Sequence, residues 1–200
     1  MPTILHLVGP GGSGKTSVGP LLGALLNWRF LDLDAEFMRS EGDIAQCIGT
    51  HGHEGYARRN LSVYLALRQA ANVPTVLALS SGFMAYAADI DPGYATVRRD
   101  IEANPLTALL LPSFELEPCV ETIVKRQLAR PYLAGNSARE EQRIRERFPL
   151  FMALQCTRFR SDSSPMQIAS EVERFARSTL STLAGEHMQS VVSRPSTRPT

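Results

Sequence analysis

Short apolar runs alternate with longer segments of helical spacing along the chain. The runs predicted to be strands are residues 3–8, 30–34, 75–79 and 106–111, with a weaker one around 158–161. The predicted helices between them are residues 16–26, 44–48, 54–71 and 115–129. Strands that alternate with helices form right-handed crossover units, so the pattern predicts an α/β fold with a parallel sheet covered on both faces.

The C-terminal third of the sequence changes character twice. A segment with turn-forming residues and basic flanks, at about 130–138, is predicted to be a mobile lid. A last helix is predicted to begin with Ser164 as its N-cap and to end near Leu183, after which the apolar period is lost. We therefore expect one domain over residues 1–184 and a loosely ordered tail over residues 185–200.

Composition and charge exclude several classes of protein. Hydrophobic residues make up 44% of the 200-residue chain and charged residues 20%, as in globular domains. The net charge of +1 provides no global field for nucleic acid or acidic membranes, and no apolar run is long enough to span a bilayer. Because Cys47, Cys119 and Cys156 form no closely spaced pair, neither a disulfide framework nor a zinc site is predicted. We expect a monomeric, cytoplasmic protein that binds neither nucleic acid nor membranes.

A glycine-rich motif lies between the first predicted strand and the first predicted helix. Residues 9–16 spell GxxxxGK[ST]. In this arrangement the loop amides surround phosphate oxygens, Lys15 reaches the β- and γ-phosphates, and Thr16 offers its hydroxyl to Mg²⁺. The predicted phosphate-binding residues are Gly11, Gly12, Ser13, Gly14, Lys15 and Thr16. The motif therefore predicts an ATP site.

The same glycines also fit a second motif. Gly9, Gly11 and Gly14 spell GxGxxG, with acidic residues downstream for a ribose hydroxyl. A dinucleotide site would give no role to Lys15 and Thr16, and 200 residues leave little room for a substrate domain beside it. The phosphate loop is therefore favoured over the dinucleotide fingerprint.

Two aspartates follow the second predicted strand. In an extended strand, Asp32 and Asp34 would project from one face about 7 Å apart, at the carboxyl end beside the phosphate loop. Acidic groups in that place can serve Mg²⁺ and a substrate hydroxyl. The pair is therefore expected at the reaction centre.

Further motifs follow in a recognisable order. They are residues 30–34, 52–58, 126–133 and 147–151. They resemble the DxD strand end, the substrate-arginine helix, the RPLL lid and the RxPLY element of the shikimate kinase family, and the resemblance covers about residues 4–173. It implies a P-loop kinase fold with a five-stranded parallel sheet in the order 2-3-1-4-5, flanked by helices. It also implies ATP-dependent phosphorylation, with Mg²⁺, of a hydroxyl on shikimate or a closely related small hydroxy acid.

The resemblance implies roles for individual residues as well. Asp34 would hold and help deprotonate the acceptor hydroxyl, and Asp32 would act on Mg²⁺ through water. Lys15 and Arg130 would neutralise the charge that develops on the transferring group. Arg126 would contact the adenine side of the nucleotide or a phosphate.

A hydroxy acid also needs a site for its carboxylate. Arginine suits this purpose because its planar, permanently charged fork binds a carboxylate through two parallel hydrogen bonds. The resemblance implies Arg58 and Arg147 for this role, with the backbone of Gly82 close to the substrate. Because Arg59 is adjacent to Arg58, either of the two could be the first substrate arginine. Three other arginines precede Arg147, alternate with glutamates and are expected on a solvated helix face: Arg139, Arg143 and Arg145.

The sequence departs from the family at two places. Ser80-Ser81-Gly82 stands where the family has three glycines, so the added side chains either crowd the pocket or recognise a different acid or polyol. Leu61 replaces an acid, so Arg58 lacks its expected partner. Two alternatives therefore stay open. One keeps the fold with another acceptor, such as a sugar acid or a cyclitol, and the other is a non-catalytic module that senses a small ligand.

Overall fold

The computed structural model of the protein describes residues 3–129 and 137–192, with side chains for 3–129 and 138–185. Within these ranges one sheet of five parallel strands has the order β2-β3-β1-β4-β5, which confirms the predicted order. The strands are β1 (Ile4–Val8), β2 (Arg29–Asp32), β3 (Thr75–Ala78), β4 (Thr107–Leu111) and β5 (Thr157–Arg160). Because all neighbouring pairs are parallel, the carboxyl ends of the strands meet at one edge of the sheet.

Helices cover both faces of this sheet. They are α1 (Lys15–Leu26), α2 (Leu33–Glu41), α3 (Ile44–Ala70), α4 (Tyr94–Ala103), α5 (Leu116–Leu128), α6 (Ser137–Met152) and α7 (Pro165–Val192). Side chains of α1 and α7 pack in one apolar cluster, and those of α2 to α6 pack in the other. In the described ranges no helix combines the length and the apolar character that a membrane span requires.

The burial of the strands follows from their place in the sheet. β4 reads TALLL and is buried at every position, because both of its faces are covered by helices. The edge strand β5 is mostly exposed, which explains its weak hydrophobic pattern. The ring of Phe30 on β2 occupies the space that a side chain at Gly19 on α1 would fill, so α1 packs closely against β2.

The second strand ends earlier than expected, and this corrects the geometry predicted for the two aspartates. β2 stops at Asp32, whose carboxylate caps α2 by accepting from the backbone amides of Asp34 at 3.0 Å and Ala35 at 3.3 Å. Aspartate is a favoured N-cap, and acidic residues in the first turn interact well with the helix dipole. Asp34 therefore lies in the first turn of α2, and the prediction that both carboxylates share one strand face is wrong.

Two helical segments also differ from their predicted bounds. The segments expected at 44–48 and 54–71 are joined in α3, across a kink at Gly52, where φ is 70° and ψ is 175°. The last helix begins as predicted, with the Ser164 hydroxyl oxygen accepting from the amide of Gln167, but it continues past Leu183 to Val192. The boundary between domain and tail stays a prediction. Most of the expected lid, including Arg130, lies outside the described residues.

Candidate active site

The phosphate loop connects β1 to α1 at the carboxyl edge of the sheet. Gly12 and Gly14 have φ values of 80° and 97°, a left-handed conformation that glycine adopts without steric cost. Lys15 donates from Nζ to the carbonyls of Gly9 at 2.6 Å and Pro10 at 2.9 Å. Within the described chain, the buried Ser13 hydroxyl has no hydrogen-bond partner. A loop that combines a lysine, a helix N-terminus and an orphaned hydroxyl fits a polyphosphate.

A threonine and an aspartate meet beside this loop. Thr16 Oγ1 donates to Asp32 Oδ2 at 2.9 Å, while Asp32 Oδ1 caps α2. The two contacts hold the Asp32 carboxylate next to the first turn of α1. Hydroxyl and carboxylate oxygens are the ligands that Mg²⁺ prefers, directly or through water, so the predicted pair fits that ion.

A cavity of about 490 Å³ opens beside the phosphate loop. It brings together three predicted residues, Asp34 on α2, Gly82 after β3 and Arg147 on α6. Its wall also includes residues that the sequence analysis left without a role: Ile44, Ile48, His53, Tyr56, Tyr86, Gln142 and Glu146. These belong to α3, α6 and the segment after β3, so an acceptor site lies between these elements.

Two of the arginines expected in solvent also reach this cavity. Arg139 and Arg143 line it together with Arg147. The three are spaced four residues apart, so they share one face of α6. This spacing is visible in the sequence and is the signal that could have identified them. Arg145 lies on another side of the helix, where it pairs with Glu117 and Glu141.

Arg147 has the electrostatics of an anion site. A Cβ at Gly82 would lie 3.4 Å from Nη2 and 3.5 Å from Nη1 of Arg147, so the absence of a side chain at Gly82 leaves room for the guanidinium. Burial, followed by the nearby charge of Arg143, lowers the pKa of Arg147. No carboxylate of the described residues forms an ion pair with it. A partly desolvated cation that faces a cavity can bind an incoming carboxylate through two hydrogen bonds.

The structure does not bring Arg58 to this cavity. Arg58 Nε donates to the carbonyl of Ile90 at 2.9 Å, and its Nη2 pairs with Glu54 at 3.2 Å. Arg59 pairs with Glu41 at 2.9 Å, also away from the cavity wall. Leu61, which replaces the expected acid, is 2% exposed and offers no charge to either arginine. The substrate role of Arg58 stays a prediction.

Arg126 lies behind the phosphate loop. Its Nη1 donates to the carbonyl of Gly12 at 3.1 Å, and its Nη2 donates to the carbonyl of Ser161 at 2.7 Å. The side chain thus ties the loop to the end of β5. This position, next to the phosphate-binding amides, is compatible with the nucleotide contact that the family resemblance implies.

The two serines that replace family glycines face different environments. Ser80 is 5% exposed, and its Oγ accepts from Asn60 Nδ2 at 3.0 Å. Ser81 is half-buried and lines the cavity. The Ser80 hydroxyl is therefore part of the interior, and Ser81 is the serine placed to meet an acceptor.

Comparisons with known proteins agree with this geometry. The sequence model of the shikimate kinase family matches residues 11–177. A shikimate kinase of Coxiella burnetii is 28% identical over 179 residues, which cover 85% of this chain and 91% of the relative. The structure resembles that of a shikimate kinase from Acinetobacter baumannii in complex with shikimate, with a TM-score of 0.68, 24% identity, and coverage of 89% of this chain and 94% of that one. It also resembles a gluconokinase from Sinorhizobium meliloti, with a TM-score of 0.59, 17% identity, and coverage of 92% and 97%.

The two structural likenesses establish a shared kinase fold, and the family match establishes the relationship in sequence. The matched range includes the phosphate loop from Gly11 onward, Asp32, Asp34 and the Arg147 segment. The chain belongs to the shikimate kinase family.

Proposed function

We propose that this protein transfers the γ-phosphoryl group of ATP to a hydroxyl of shikimate. The observation that carries the proposal is the cavity that has the Asp34 carboxylate in one wall and the Arg147 guanidinium in another. A small hydroxy acid presents the complementary groups, a hydroxyl and a carboxylate. The family to which the chain belongs supports this acceptor, as does the bound shikimate of the Acinetobacter baumannii relative.

The residues divide the chemistry between them. Bound ATP supplies the phosphoryl group, and its phosphates would be held by the loop amides, Lys15 and Thr16, with Mg²⁺ near Thr16 and Asp32. Lys15 is held by two loop carbonyls in the absence of phosphate, so its ammonium is already at the loop. Asp34 would accept the proton of the acceptor hydroxyl, and Arg147 would orient the acid through its carboxylate.

Two further predicted roles complete the proposal. Arg130, from the lid, would neutralise charge on the transferring group, and Arg126 would contact the nucleotide. We also propose that the enzyme is a monomer and acts in the cytoplasm.

One observation favours a second acceptor class. The Ser81 hydroxyl lines the cavity where the family has a glycine, and it could donate to or accept from a polar group that shikimate lacks. A sugar acid or a cyclitol carries additional hydroxyls for such a contact. A sensing module without turnover is less well supported, because Lys15, Thr16, Asp32 and Asp34 are all present.

The proposal is tested by measuring ADP release with shikimate, gluconate, quinate and simple cyclitols. We expect the highest kcat/KM with shikimate, and we expect Asp34→Asn to lower kcat by orders of magnitude with little change in nucleotide affinity. Turnover with a cyclitol but not with shikimate would transfer the proposal to the second acceptor class. ATP binding without turnover of any acceptor would favour the sensing module.

A further inference from the structure

We propose that Tyr56 is a positioning residue for Asp34, because its phenol hydroxyl holds one oxygen of that carboxylate. The inference rests on the proposed function, because it takes Asp34 as the group that accepts the proton of the acceptor. It assigns a role to a cavity residue that the sequence analysis left without one.

One hydrogen bond joins Tyr56 to Asp34, and a separate set joins Tyr86, Asn60 and Ser80. Tyr56 Oη donates to Asp34 Oδ1 at 3.3 Å. Asn60 Nδ2 donates to Ser80 Oγ at 3.0 Å, and Tyr86 Oη donates to Asn60 Oδ1 at 3.2 Å. Asn60 is 0% exposed and Ser80 is 5% exposed, so water does not compete for these two residues.

The direction of each hydrogen bond follows from its partners. The Asn60 amide oxygen accepts from Tyr86, so its NH₂ group donates to Ser80. A carboxylate can only accept, so the single Tyr56 proton points to Asp34.

The Tyr56 phenol keeps its proton. Burial, followed by the charge of Asp34, raises the pKa of Tyr56 above its ordinary value. The phenol is therefore a permanent donor and does not compete with Asp34 for the acceptor proton. Because Tyr56 occupies Oδ1, the arrangement leaves Oδ2 for the acceptor hydroxyl.

The first experiment compares Tyr56→Phe with the wild type in the ADP-release assay. Phenylalanine keeps the edge-on contact with Phe37, whose ring centroid lies 5.0 Å from that of Tyr56. We expect kcat to fall about five- to tenfold, with the KM for ATP and the KM for the acceptor unchanged.

A control variant separates positioning from a general loss of stability. Tyr94→Phe is the matched control, because its hydroxyl donates to the Phe83 carbonyl and does not line the cavity. It should lower stability but leave kcat unchanged. A wild-type kcat in Tyr56→Phe, or an equal fall of kcat in Tyr94→Phe, would overturn the inference.

A second experiment requires no turnover. Urea unfolding at neutral pH is measured for the wild type, Tyr56→Phe, Asp34→Ala and the double variant. We expect Tyr56→Phe to lower the unfolding midpoint when Asp34 is present and to lower it much less in Asp34→Ala. Equal losses in both backgrounds would show that the two side chains are not coupled, and the inference would fail whatever the acceptor is. Absence of turnover with every acceptor would instead refute the proposed function and leave this result intact.

Discussion

Replacing Arg147 by methionine tests the carboxylate site, because it removes the charge and keeps most of the side-chain length. Two charge-assisted hydrogen bonds to a carboxylate would be lost. Hydrogen bonds to a charged group contribute about 1.5–3 kcal/mol, which corresponds to a rise of about ten- to a hundredfold in the KM for the acceptor. The KM for ATP should not change, since Arg147 lines the acceptor cavity.

Arg147→Met should not lower the stability of the protein, in contrast to the replacement of an arginine that is held in an ion pair. Arg147 is partly desolvated, its pKa is lowered by burial and by Arg143, and it has no ion pair within the described ranges. Burial disfavours its charged form, and the nearby charges of Glu140 and Glu146 offset this only in part. Removing the charge should therefore leave the free energy of unfolding unchanged or slightly higher.

Arg145→Met is the matched control on the same helix. Arg145 bonds Glu117 at 2.6 Å and 2.8 Å and does not line the cavity. Its loss should lower stability slightly and leave both KM values unchanged. The assays are steady-state ADP release and urea unfolding. A KM for shikimate within twofold of the wild-type value in Arg147→Met, together with a clear loss of stability, would show that Arg147 is structural and would refute the carboxylate site.

The remaining predictions concern the phosphate loop, the serines and acid stability. Lys15→Ala should abolish turnover and leave a folded protein by circular dichroism, because the side chain serves the loop rather than the core. Ser80→Gly should cost about 1–3 kcal/mol in urea unfolding because Asn60 loses its acceptor, whereas Ser81→Gly should leave stability nearly unchanged and alter kcat/KM. Burial lowers the pKa of His6 to about 3, so its stabilising contribution is complete above its ordinary value of 6.5 and is lost as pH falls from there toward 3. His6→Gln should therefore flatten the dependence of unfolding free energy on pH in that window.

The parts of the fold that were predicted correctly depend on local patterns. The buried runs of β1 and β4 and the helices between the strands are visible as short apolar segments and helical periods. The phosphate loop is a contiguous motif, so its position between β1 and α1 follows directly. The strand order came from the family resemblance, since nothing in the periodicity distinguishes one order of parallel strands from another.

The sequence could not predict the contacts that a distant or competing partner decides. Asp32 could continue the strand or cap a helix, and the gain from satisfying two backbone amides ended the strand there. For Arg58 the partner is the backbone carbonyl of Ile90, 32 residues away, and no sequence motif identifies such an acceptor. Each outcome depends on where the rest of the chain lies.

The arginines of α6 show a further limit of periodicity. Their spacing of four residues places Arg139, Arg143 and Arg147 on one face, but it does not say whether that face meets solvent or a cavity. The orientation is set by the apolar side of the helix, because Ile144 and Phe151 are buried in the core. The pair of Arg145 with Glu117 on α5 lies at the surface and contributes little to stability.

Ser80 shows why a departure from a family motif has to be interpreted together with its partner. Taken alone, a serine in place of a glycine predicts crowding or a new substrate contact. In the folded chain its hydroxyl oxygen accepts from Asn60, whose amide oxygen accepts in turn from Tyr86. Specificity for a different acceptor therefore cannot be argued from Ser80. That argument rests on Ser81 alone, and the comparison of Ser81→Gly with the wild type on shikimate and on a cyclitol decides it.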